Sequence, residues 1–116
     1  MIQTELAWAA GLFDGEGCTS LYSKRRSIQV SISQKYDRFV LDRFKAAVGG
    51  GYIYWPESQS GYYRISGVPA LLVLQQLWPY LSPPKKEQAL RKINEANHYL
   101  INQLLETKVV ALDISF

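Results

Sequence analysis

The chain has 116 residues, 47% of them hydrophobic, which favours one folded domain over residues 1–116 and excludes wholesale disorder. Its formal net charge of +3 allows a nucleic-acid partner without requiring one. One cysteine, Cys18, and one histidine, His98, exclude an internal disulfide and are too few for a structural zinc site. The N-terminus lacks the regions of a signal peptide, and no apolar run reaches about 18 residues. We therefore expect a soluble, intracellular protein that is neither secreted nor membrane-bound.

The first third of the chain predicts a helix followed by a β-hairpin. Thr4 is a candidate cap for a helix over residues 5–13, which Gly15 and Gly17 would stop. Residues 18–23 alternate between polar and apolar side chains, as a half-buried strand does. A basic turn follows and leads into a clearer alternation over residues 28–33, which predicts the second strand of the hairpin.

The remainder predicts a helix, a second hairpin and two further helices. An apolar stripe at helical spacing (Val40, Phe44, Ala47 and Val48) marks residues 37–48, and three glycines end it. The second hairpin combines residues 52–55 and 62–66, and an apolar helix over 68–77 stops before Pro79. The last helix starts after Ser82 with proline in its first turn, and its stripe is Leu90, Ile93, Asn97, Leu100 and Leu104. The order predicts an α+β domain in which helices cover one face of an antiparallel four-stranded sheet.

Alternation also predicts which side chains occupy the uncovered face of that sheet. If Ile28, Val30 and Ile32 face the helices, the opposite set faces solvent. That set is Ser20, Tyr22, Lys24, Gln29, Ser31, Ser33, Tyr54, Tyr62 and Arg64. Hydroxyls, amides and cations without a carboxylate suit base edges and phosphates, and Arg25 and Arg26 in the turn would add phosphate contacts. The alternative is an ordinary polar, solvent-facing sheet with a solvated basic turn.

One short motif points to a family. Residues 9–17 read Ala-Ala-Gly-Leu-Phe-Asp-Gly-Glu-Gly, which resembles the nine-residue signature of the LAGLIDADG homing endonucleases. The resemblance continues through Ser33-Gln34-Lys35 at the end of the second strand to Lys85-Lys86-Glu87-Gln88-Ala89 in the last helix. It implies this α+β fold, a sheet that lies in the DNA major groove, with Lys35 among its contacts, and site-specific cleavage of both strands.

The motif helix carries its small residues on one side. Ala7, Ala10, Gly11 and Asp14 lie three or four residues apart, so they share a face. Small side chains let two helices approach more closely than the usual ~8–10 Å. The family packs two motif helices together, and a chain with one motif would find the second helix in another copy, which implies a twofold homodimer. The alternative is that the small residues pack against the chain's own core.

The resemblance also implies roles for the residues at the end of the motif helix. Glu16 would bind the catalytic Mg²⁺ (or Mn²⁺) with the carbonyl of Gly15, and Asp14 would be structural. Lys85, or Lys86 if the alignment shifts by one, would stabilise developing charge, since a helix N-terminus otherwise disfavours cations. Gln34 would orient the attacking water, or is simply an amide at a strand end.

The sequence thus predicts a metal-dependent DNA endonuclease that acts as a homodimer on a long pseudo-palindromic site. Genes of this family commonly lie in introns or other mobile elements of bacteria, phages or organelles. The rival is a non-cleaving relative, either a transcription regulator or a maturase that binds intron RNA. Glu16 favours cleavage, because a degenerate relative is expected to lose the motif acid.

Overall fold

The computed structural model describes residues 2–22, 27–56 and 60–96. Several residues of the sequence predictions lie outside these ranges: Lys24, Arg25, Arg26, Asn97, His98, Leu100 and Leu104. The elements in chain order are α1 (Gln3–Glu16), β1 (Gly17–Tyr22), β2 (Ser27–Lys35), α2 (Arg38–Val48), β3 (Tyr52–Tyr54), β4 (Ser60–Ser66), α3 (Val68–Leu77), a 3₁₀ turn (Trp78–Tyr80) and α4 (Pro83–Ala96). None of the helices in the described ranges is both long and apolar enough to cross a membrane.

The four strands form one antiparallel sheet in the order β1-β2-β4-β3. Its register places Gly17 opposite Ile32, Ser31 opposite Arg64, and Arg64 opposite Tyr52. The predicted α+β fold with a four-stranded antiparallel sheet is therefore confirmed, and β2 and β4 are its central strands.

The core lies between one face of this sheet and the helices. Ile28, Val30 and Ile32 are buried on β2, as the alternation predicts, and Phe13 of α1 and Phe44 of α2 are fully buried. Tyr63 of β4 joins them at 0% exposure, with its ring 4.9 Å from that of Phe44. Its hydroxyl donates to the carbonyl of Gly50 at 2.7 Å, and burial raises the pKa of the phenol. A side chain at Gly51 would overlap the Tyr63 ring, so this turn needs glycine.

Helix α1 differs from its prediction at both ends. It begins at Gln3 after an extended Ile2, and no side chain caps it, so Thr4 lies inside the helix. It ends at Glu16, so Gly15 belongs to its last turn and only Gly17 stops it. A Cβ at Gly15 would meet nothing, whereas one at Gly17 would overlap the ring of Phe13. The prediction was wrong because glycine is compatible with a helix end as well as with a stop.

The start of β4 and the apolar stripe of α2 also differ from their predictions. Strand β4 starts at Ser60 because β2 extends to Lys35 and offers it hydrogen-bonding partners. The predicted bounds of the next helix are confirmed, since α3 ends at Leu77 and is followed by a 3₁₀ turn that includes Pro79. Proline is tolerated in the first turn of such an element. In α2 the sequence stripe missed Leu41, which is fully buried, whereas Val40 is only half-buried.

An ion pair joins α1 to α2. The Arg43 guanidinium donates to both Glu5 carboxylate oxygens, at 2.9 and 2.8 Å, and lies 3.9 Å from the centroid of the Trp8 ring. The hydrogen bonds from Arg43 lower the pKa of Glu5, and the same bonds raise the pKa of Arg43. These contacts join the first turns of α1 to α2.

Candidate nucleic-acid interface and active site

The uncovered face of the sheet carries the polar side chains that alternation predicts. Tyr22, Ser33 and Tyr54 are exposed, and Ser20, Gln29, Ser31, Tyr62 and Arg64 are half-buried. We call this surface, together with the exposed Lys35, the open face. Within the described residues, none of the four strands contains Asp or Glu. The open face therefore presents donors, aromatic rings and cations to solvent.

Two members of the open face were missing from the sequence prediction. Tyr52 is 53% exposed and has the same parity as Tyr54 on β3, and Cys18 is exposed with the parity of Ser20 on β1. Both follow from the alternation that placed their neighbours. Each lies at or next to the first residue of its strand, where the sequence does not fix the residue at which the alternation begins.

A groove of about 710 Å³ opens where α1 ends beside the open face. Its lining consists of Glu16, Ser33, Gln34, Lys35, Tyr54, Pro56, Ser60, Gly61 and Tyr62. Glu16 reaches it because Gly17 pairs with Ile32, which places the last turn of α1 beside the end of β2. The structure thus brings together Glu16 and Gln34, which are predicted catalytic residues, and Lys35, which is a predicted DNA contact.

The two lysines at the start of α4 have different environments. Lys85 Nζ donates to the carbonyl of Gly17 at 2.6 Å and lies 6.0 Å from the centroid of the Phe13 ring. Lys86 Nζ instead lies 5.7 Å from the ring centroid of Trp78. The Lys85 ammonium group therefore lies beside the backbone of Gly17, the residue after Glu16. Lys85 is not among the described residues that line the groove.

Gln88, one helical turn after Lys85, also contacts β1. Its side-chain Oε1 accepts a hydrogen bond from the backbone N–H of Thr19 at 3.1 Å. Because β1 is an edge strand, its outward N–H and C=O groups have no strand partner on that side. Lys85 and Gln88 supply these partners and hold α4 in register with the end of α1. No local pattern predicts this contact, since it joins residues 69 positions apart.

We expect Gln88→Leu to lower the free energy of unfolding by about 1–3 kcal/mol, because the Thr19 N–H would lose its partner in a partly buried place. Glu87→Leu is the matched control, since Glu87 is exposed on the same helix. Urea unfolding of both variants measures the difference. Equal stability of the two variants would contradict a role for Gln88 in holding the edge strand.

Asp14 has a structural role at the end of α1. Its Oδ1 accepts hydrogen bonds from the backbone N–H of Ser82 at 3.0 Å and from the Ser82 hydroxyl at 2.9 Å. Ser82 directly precedes α4, so this carboxylate ties the motif helix to the start of the helix that carries Lys85. Asp14 thus has the structural role that the sequence predicts, and its place in the predicted dimer interface stays a prediction.

The exposed face of α1 includes only some of the small residues that the sequence predicts for it. Ala10 is 0% exposed and packs in the core of its own protomer, so its assignment to a dimer interface is wrong. The helix turns about 100° per residue, which carries Ala10 inward while Ala7 and Gly11 stay outside. Ala7, Gly11 and Gly15 are exposed at intervals of four residues, and we call them the α1 stripe.

The donor groups of the groove fit a hard divalent ion only in part. Glu16 is exposed, and the carbonyl of Gly15 lies in the last helical turn, where carbonyls lack intrahelical partners. Both are oxygen donors of the kind that Mg²⁺ prefers. Among the described residues, however, no three metal-ligating side chains cluster together. Glu16 is the one carboxylate among the described residues that line the groove.

No protein-family model and no curated protein matches the sequence. Among solved structures, the chain is similar to the homing endonuclease I-CvuI, in complex with the I-CreI target and 2 mM Mg with the DNA not cleaved, and in complex with its own target and 2 mM Ca. The identity is 20% over 98% of this chain and 85% of that one, with TM-scores of 0.63 and 0.64.

Two other structures show the same similarity. The I-SmaMI LAGLIDADG homing endonuclease, bound to cleaved DNA, has a TM-score of 0.64 at 20% identity, over 91% of this chain and 38% of that one. The homing endonuclease I-TnaI has a TM-score of 0.58 at 18% identity, over 88% and 96% of the two chains. Together with the motif and the sheet order, these similarities show that the chain has the fold of the LAGLIDADG homing endonucleases.

Proposed function

We propose that this protein is a metal-dependent endonuclease that cuts both strands of a long, pseudo-palindromic DNA duplex as a homodimer. The observation that carries the proposal is the groove in which the exposed Glu16 carboxylate meets the polar end of the open face. A surface suited to DNA and a carboxylate suited to a divalent ion thus share one continuous site.

The open face supports binding to the major groove. A twisted antiparallel sheet fits this groove, and hydroxyl, amide and guanidinium groups distinguish base pairs there. The residues assigned to this contact are Ser20, Tyr22, Gln29, Ser31, Ser33, Lys35, Tyr54, Tyr62 and Arg64, with Lys24, Arg25 and Arg26 from the turn outside the described ranges. The structural neighbours I-CvuI and I-SmaMI were solved with DNA, which agrees with this assignment.

Dimerisation through the α1 stripe would complete the active site. Ala7, Gly11 and Gly15 leave a smooth surface on which a second α1 can pack closely. In a twofold arrangement the two Glu16 carboxylates meet near the axis, where each protomer supplies the oxygen donors that the other lacks. Two such carboxylates repel each other unless cations lie between them.

The chemistry assigned to each residue follows from its place. Glu16 and the Gly15 carbonyl would hold Mg²⁺ or Mn²⁺, which when bound stabilises charge on the attacking and leaving oxygens. Gln34 orients a water whose oxygen attacks phosphorus while the bond from phosphorus to the leaving sugar oxygen breaks. Lys85, held beside Glu16 by its hydrogen bond to Gly17, stabilises negative charge on the phosphate.

Cleavage of a randomised duplex library in Mg²⁺ tests the proposal. Sequencing of the new ends should show a twofold-related consensus, with both strands cut near its centre. Duplexes that are enriched by binding but never cut with Mg²⁺ or Mn²⁺ would identify a non-cleaving DNA-binding regulator. Enrichment of structured intron RNA over all duplexes would identify a splicing cofactor instead.

A further inference from the structure

Arg64 has an unusual environment among the arginines that the structure describes. Arg43 and Arg38 are paired with carboxylates of their own chain, Glu5 and Asp42, and Arg91 is exposed on α4. Arg64 lies instead near two aromatic rings of the open face, with its Cζ 5.1 Å from the ring centroid of Tyr62 and 6.0 Å from that of Tyr52. Within the described part of the chain its positive charge has no carboxylate partner on the sheet.

The two rings come from different strands. Tyr62 is two residues before Arg64 on β4 and therefore on the same face, and Tyr52 is the cross-strand partner of Arg64 on β3. Tyr54 extends the cluster, because its ring centroid is 5.3 Å from that of Tyr62. A guanidinium that is attracted to neighbouring rings loses rotamer freedom before it meets a ligand, so less entropy is lost when it binds.

The position of Arg64 favours a base over a phosphate as its target. β4 is a central strand, with β2 on one side and β3 on the other. In a sheet that lies along the major groove, side chains of the middle strands are farther from the two phosphate backbones than side chains at the edges, so Arg64 is well placed to reach a base edge. A planar guanidinium in that place matches the O6 and N7 acceptors of guanine with two parallel hydrogen bonds.

We infer that Arg64 reads one guanine in each half of the DNA site and that Tyr52, with Tyr62, is a positioning residue for it. This inference rests on the proposed DNA-binding function and adds a specific base and a residue that acts through another. The ring of Tyr52 positions the Arg64 guanidinium, so a change at Tyr52 affects the preference for guanine more than the affinity for DNA in general.

Selection from a randomised duplex library with wild type, Arg64→Ala, Tyr52→Leu, Tyr52→Phe and the double variant tests the inference. Arg64→Ala should reduce the preference for guanine at one position per half-site by roughly 5- to 150-fold. Tyr52→Leu should reduce it by roughly 2- to 5-fold, and Tyr52→Phe should keep it because the ring remains. Tyr52→Leu should have no further effect when Arg64 is already Ala, because its action passes through the guanidinium.

Tyr80→Leu is the matched control, since Tyr80 is an exposed tyrosine in the 3₁₀ turn away from the sheet. Uniformly weaker binding by Arg64→Ala, with a salt slope smaller by about 0.9, would show a phosphate contact and overturn the guanine assignment. A Tyr52→Leu effect that persists in the Arg64→Ala background would overturn the positioning role. Wild-type protein that enriches no duplex would instead overturn the proposed function itself, and with it this inference.

Discussion

Glu16→Gln should lower the rate of DNA cleavage by about a thousandfold or more while site binding survives. The variant keeps the size of the side chain and removes the charge that would hold the divalent ion. A loss of roughly 4 kcal/mol of transition-state stabilisation corresponds to that factor. Folding should be unaffected, because Glu16 is exposed and Gln has a similar helix propensity.

The assay is cleavage of a plasmid that carries the selected site, with binding measured on the same duplex. Glu87→Gln removes an exposed carboxylate outside the groove and should cut normally. Ca²⁺ should support binding by the wild type but little cleavage, because its coordination is longer and looser than that of Mg²⁺. Full cleavage by Glu16→Gln would remove the catalytic assignment, and loss of binding as well as cleavage would make Glu16 a folding residue.

Gly11→Leu should weaken the dimer without lowering the stability of the isolated protomer. A Cβ at Gly11 meets nothing within 4 Å in the protomer, so the new side chain has room until a second α1 approaches. Leucine also has a higher helix propensity than glycine, so the isolated protomer should be at least as stable as the wild type. In a twofold interface the overpacking occurs twice, at about 1–3 kcal/mol each, and the dimer should weaken by at least roughly 30-fold.

Sedimentation over a range of concentrations, with thermal unfolding alongside, measures both effects. Ala46→Leu is the control, because Ala46 is an exposed small residue on α2 rather than on the α1 stripe. Gly11→Leu that sediments like the wild type would show that α1 does not form the interface. A wild-type chain that stays monomeric with and without DNA would exclude the homodimer and leave the metal site incomplete.

The sequence by itself determined the order of the helices and strands and the two faces of the sheet. Alternation about Ile28, Val30 and Ile32 fixed which side is buried, because a strand has a period of two and a shift of one residue would reverse every side chain. The motif over residues 9–17 indicated the fold that the solved structures then showed. These patterns involve residues that are close together in the sequence, so they can be recognised without the tertiary structure.

Only the tertiary structure decided which residues meet across long separations. It buried Ala10 in its own core, placed Lys85 rather than Lys86 beside the end of α1, and set Gln88 on the edge strand. It also put Tyr52 opposite Arg64, a contact that depends on the pairing of β3 with β4. The residues that share a helical face can be estimated from their spacing, but the direction in which that face points is set by the packing of the helix against the rest of the fold. Small shifts in this packing decide which of two neighbouring side chains reaches the site.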